Sequence, residues 1–67
     1  MKFRKLRGRI RECYEKQELF ANELGVSATT LSKKLNGKSE WTRPEIERAC
    51  VLLEIPGEDV SAYFFAF

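Results

Sequence analysis

The chain has 67 residues, 43% hydrophobic and 33% charged, with a formal net charge of +2. That describes one small domain with little apolar material to spare, neither disordered nor collagen-like. No apolar run approaches the length of a membrane span, and no apolar stretch of a secretion signal follows the basic start. There are two cysteines, Cys13 and Cys50, and no histidine. Two thiols alone do not make a four-ligand zinc site, and the commonest general base is missing. The acids are scattered along polar helix faces without an evident pair. The expectation is therefore a protein that is not an enzyme, with no catalytic residue, metal or cofactor. The thiols read as free, buried side chains in a reducing cytoplasm.

Charge is unevenly spread. Residues 1–38 carry ten Lys/Arg against four acids, a balance of +6, and residues 39–67 carry two against six, a balance of −4. Lys2, Arg4, Lys5, Arg7, Arg9 and Arg11 fall in the first eleven residues with no acid between them. A basic half facing a polyanion explains this pattern. A basic half balanced by the acidic half of the same fold explains it as well.

Apolar residues recur at helical spacing throughout. Phe3, Leu6, Ile10, Cys13 and Tyr14 mark a first helix over about 4–14. Gly8 weakens it and reads as a close-packing contact. Leu19, Phe20, Ala21 and Leu24 mark a second helix over 17–24, stopped by Gly25 as a left-handed cap. Val26 then plugs the core and Ser27 caps a third helix over 28–36, with Leu31 and Leu35 inward. Asn36-Gly37 ends it, and 37–42 is a loop in which Trp41 is a packing lid. Thr42-Arg43-Pro44-Glu45 is a capping box opening a fourth helix over 43–54, with Ile46, Ala49, Cys50 and Leu53 inward. Pro56-Gly57 breaks the chain, and Val60, Tyr63, Phe64 and Phe67 repeat the spacing in a last short helix. The fold class is all-α: a compact bundle of five short helices in one domain, 1–67.

The informative stretch is 17–37. Ala21 sits where two helices cross, Gly25 four residues later allows a tight turn, and Leu31 and Leu35 fix the second helix against the first. That spacing gives a central helix-turn-helix, which seats its second helix in the DNA major groove. The segment resembles the helix-turn-helix of phage repressors and Cro proteins, the lambda-repressor-like DNA-binding family. The resemblance covers nearly the whole chain, through Ala21/Gly25/Leu31 and the Asn36-Gly37-Lys38 exit. Lys5-Leu6-Arg7-Gly8-Arg9-Ile10 and Tyr63-Phe64-Phe65 look like a small phage-encoded subgroup.

The resemblance implies a Cro-like regulator of transcription, cytoplasmic in a bacterial host, that binds double-stranded operator DNA without a small-molecule ligand. No sensing domain is visible, which favours a Cro-like protein over a two-domain repressor. Ala28, Thr29 and Lys33 are the outward positions facing base edges: Lys33 suits guanine O6 or N7, and the methyls of Ala28 and Thr29 suit thymine. Gln17 opens the second helix, where unpaired amides favour a phosphate. Ser27, Thr30 and Ser32 are phosphate or backbone partners. Asn36, Lys38 and Lys34 sit at the exit as a phosphate clamp, and Arg43 follows the loop. Lys2, Arg4 and Lys5 add backbone contacts that raise salt dependence without reading sequence. Arg7, Arg9 and Arg11 alternatively pair with acids inside the fold.

One residue departs from the family pattern. Lys34 stands where a large apolar residue is usual; it is expected to run its stem along the core and place its ammonium near a phosphate, with Leu35 taking part of the packing. The tail aromatics Tyr63, Phe64, Phe65 and Phe67 exceed one helix face and are candidates for a homodimer contact on DNA. Two other readings compete: a protein-interaction adaptor on the same scaffold, and a membrane-surface role for an amphipathic first helix with Leu6 and Ile10 outward.

Overall fold

Leu6 and Ile10, one helical turn apart, are fully buried and orient the first helix, α1, Arg4–Tyr14. The structure is a computed structural model and describes residues 2–65. After α1 come α2 (Gln17–Leu24), α3 (Ala28–Leu35), α4 (Arg43–Leu52), a single 3-10 turn (Gly57–Asp59) and α5 (Val60–Phe64). The described residues contain no strand, and the fold is an all-α bundle of five helices. No helix among them is long and apolar enough to cross a membrane.

The helix ends are set by local chemistry. Gly25 holds φ at 92°, a conformation that penalises any Cβ. A Cβ there would meet nothing within 4 Å, so it is the backbone, not crowding, that calls for glycine. The amides of Gly25 and Val26 both return to the carbonyl of Ala21, at 2.9 and 3.0 Å, and close the end of α2. Two residues later the Ser27 hydroxyl accepts the Thr30 amide at 3.1 Å and opens α3. At α4 the capping box is complete: Thr42 Oγ1 accepts the Glu45 amide at 3.4 Å, and Glu45 Oε1 accepts the Thr42 amide at 2.9 Å.

Phe20, Leu31, Leu35 and Leu53 join Leu6 and Ile10 as fully enclosed side chains, with Ala21 and Ala49 where the helices meet. Leu31 and Leu35 press α3 onto the core, so the opposite side of α3 is left to solvent. Trp41 closes the loop side, its ring edge-on to Phe64 (centroids 5.1 Å apart) and to Phe3 (6.3 Å). This is the packing role expected of it.

Several expectations are corrected. Helix α4 ends at Leu52, not 54, because Glu54 takes a left-handed φ of 54° and the Ile55 amide reaches back to the Cys50 carbonyl. Asn36 caps α3 and is not part of it. Cys13 is exposed, since it lies on the flank of the apolar stripe where no neighbouring helix covers it. Cys50 is half-buried, and that burial pushes its thiol pKa up. Leu19 faces outward, 48% exposed. Leu6 and Ile10 point into the core, so α1 has no free apolar face to offer a membrane surface.

Gly8 is also not a packing contact: a Cβ added there meets nothing within 4 Å. It is an exposed glycine inside a helix. Gly8→Ala is therefore expected to stabilise the protein by about 1 kcal/mol, read as a rise of several degrees in the thermal midpoint.

Candidate nucleic-acid interface

With Leu31, Lys34 and Leu35 turned inward, the free face of α3 carries Thr29, Ser32 and Lys33, followed by Asn36 at the cap; all four are exposed. Ala28, at the start of the helix, is exposed too. The proposed base-reading residues thus stand in solvent on a helix that is fixed from behind. The hydroxyls of Ser27 and Thr30 bond each other, with Ser27 Oγ donating to Thr30 Oγ1 at 2.9 Å. They close the first turn of the helix, which leaves Ser27 with a structural job beside any phosphate role. Gln17 opens α2 exposed and lines a groove of mixed charge with Arg7, Arg11, Lys16, Glu15 and Glu18.

The exit from α3 is crowded with cations. The Lys2 side chain lies against Gly37, so close that a Cβ on Gly37 would meet Lys2 Cδ at 2.6 Å. Gly37 also has a φ of 76°. Lys38 is exposed next to it. Arg7 reaches across from α1: its Nη2 donates to the Leu35 carbonyl at 2.8 Å and to Asn36 Oδ1 at 2.7 Å, and its Nε donates to the Lys2 carbonyl at 3.0 Å. All three acceptors are neutral oxygens, so Arg7 keeps its charge at the end of α3. Arg9 follows the other reading, paired with Glu12 at 3.4 Å and bound to the Leu53 carbonyl. The two arginines, two residues apart, leave α1 on different sides.

Lys34 is the largest correction. Its side chain is buried, 4% exposed for the whole residue, and the ammonium does not reach the surface. It donates to the Glu40 carbonyl at 2.8 Å, pairs with Glu45 Oε1 at 2.8 Å, and lies 5.9 Å from the Trp41 ring centroid. A buried ammonium satisfied in this way has no reach left for a phosphate, so Lys34 leaves the clamp. Glu45 now serves two partners. Burial raises its pKa, but the Lys34 ammonium and the two Thr42 bonds outweigh that and hold it below the ordinary carboxylate value. A depressed folded-state pKa stabilises fully above the unfolded value and loses that contribution as pH falls through the folded one. Glu45→Gln is accordingly expected to be less stable than wild type at neutral pH. The gap should narrow below about pH 4, which denaturant melts at several pH values would show.

Lys5 is turned the other way as well, its ammonium 4.8 Å from the Tyr63 ring centroid on the α5 side of α1. This removes it from the surface shared by Arg7 and Asn36. Arg4 is exposed. Arg43 is exposed and pairs with Glu47 at 3.3 Å, a contact of little energetic consequence on the surface.

Of the tail aromatics, Phe64 is buried in the core against Trp41 and is not available to a partner. Tyr63 is half-buried under Lys5, and Phe65 is 65% exposed. Phe67 lies outside the described residues. Among those residues no group of three potential metal-binding side chains comes together.

Fold and surface together define a small all-α domain with a free polar face on its third helix, flanked at the exit by Lys2, Arg7 and Lys38. The chain belongs to DUF739, a family described as protein of unknown function, whose model matches residues 1–66. No curated protein matches the chain.

Proposed function

We propose that the protein is a sequence-specific, double-stranded DNA-binding regulator of transcription, a Cro-like repressor of the lambda-repressor-like class. The observation that carries this is the free face of α3. Leu31, Lys34 and Leu35 anchor the helix from behind while Ala28, Thr29 and Lys33 stand exposed, with Lys2, Arg7 and Lys38 at its exit. In this reading α3 enters the major groove and the ammonium groups of Lys2 and Lys38 hold the backbone phosphates. Gln17 and Asn36 donate to phosphates on either side. Repression follows from occluding a promoter, in the cytoplasm of a bacterial cell. A homodimer on paired half-sites uses Phe65 and the adjoining groove of Trp41, Ile46, Cys50 and Val60.

That same groove favours a second reading, a protein-interaction adaptor that uses the scaffold without DNA. Thr29→Ala and Lys33→Ala separate the two. The regulator loses its choice among DNA sequences while staying folded; the adaptor keeps its partner, and neither variant changes anything measurable on DNA.

A further inference from the structure

A guanidinium only donates hydrogen bonds, and a side-chain amide has one accepting and one donating end. Arg7 Nη2 lies 2.7 Å from the Asn36 side chain, so the amide oxygen must face Arg7 and the NH2 group must face away. Asn36 is exposed, so that NH2 group is presented to solvent as a fixed donor at the end of α3. The same Arg7 nitrogen binds the Leu35 carbonyl at 2.8 Å, one of the carbonyls the helix end leaves without an internal partner. A positive charge at a helix C-terminus is favourable there. Arg7 Nε holds the Lys2 carbonyl and so places the chain start beside Gly37. One guanidinium thus ties α1 and the residues just before it to the end of α3, 28 and 29 residues further along the chain.

We infer that Arg7 is a positioning residue: its fork locks the Asn36 amide with its NH2 group outward, as a donor for a backbone phosphate oxygen at the exit of the third helix. The occupant must present an acceptor, because the outward end of the locked amide can only donate. The positive charges of Lys2, Arg7 and Lys38 around it favour an anionic oxygen. Lysine keeps the charge but has no planar fork, so Arg7→Lys separates charge from geometry. The inference rests on the DNA-binding reading, and its test has one arm that needs no DNA.

In the free protein, Arg7→Lys is expected to shift the side-chain amide proton resonances of Asn36 while the thermal melt stays cooperative. On duplex DNA, Arg7→Lys and Asn36→Ala should each weaken binding several-fold and evenly across sequences. The double variant should be no weaker than either single one, because both remove the same contact. The slope of log affinity against log salt should hold for Arg7→Lys, which keeps its charge. Wild-type affinity in Arg7→Lys, or losses that multiply in the double variant, overturns the inference alone. Wild-type protein that binds no duplex even at low salt overturns it together with the DNA reading, whatever the amide resonances do.

Discussion

Lys34→Ala is expected to cost about 3 kcal/mol of stability, since breaking a buried pair leaves the remaining partner uncompensated and truncation leaves a cavity. In a domain of this size that lowers the thermal midpoint by roughly 12 °C or more. The side chain fills core space between α3 and the loop, satisfies the Glu40 carbonyl, and holds the carboxylate that caps α4. Removing it strikes three elements at once. Lys34→Met keeps the volume of the stem and should cost less. Lys34→Met with Glu45→Gln should come close to wild type, because a buried pair replaced as a unit is often neutral. The same methionine variant should leave the salt dependence of DNA binding unaltered. A slope lowered by about one would instead put the ammonium on a phosphate.

Lys33→Ala is expected to act on recognition and leave stability alone. It should relax discrimination at one base position by about 1–3 kcal/mol, a factor of roughly five to more than one hundred, with little change elsewhere in the site. Lys38→Ala should do the opposite. It should weaken binding to all sequences alike and lower the salt slope by about one, as the loss of a single phosphate contact does. Competition binding against single-mismatch duplexes, repeated across a salt series, measures both. If the two variants behave alike, the division between the face and the exit of α3 is wrong.

What was legible in the sequence is what depends on near neighbours. Helices α1 and α2 fall on their expected bounds because the apolar spacing and a glycine stop are local signals. Ser27 and Thr42 cap as their side chains predict, each bonding three residues ahead. The family resemblance and the length of a lysine stem put Lys34 along the core with its ammonium near a phosphate. They could not say what meets its charge instead, since Glu40 supplies a backbone oxygen and Glu45 comes from the next helix. The role of Arg7 had no sequence signal at all, because its partners at the end of α3, Leu35 and the capping Asn36, lie 28 and 29 residues away. Cys13 and Leu19 were misplaced for a related reason. Each lies near an apolar stripe, and only the position of the other helices decides whether anything covers that edge. The early end of α4 turns on one residue, Glu54, taking a left-handed conformation that its side chain does not advertise.

The most direct test of the central claim is selection of the full chain on random duplex DNA at physiological salt, where screening strips weak, non-specific binders. The account predicts enrichment of a defined sequence, an inverted repeat if the exposed Phe65 surface pairs two copies and a single half-site if it does not. A folded protein that enriches no sequence would contradict the account and move the search for a partner to the groove beside Phe65.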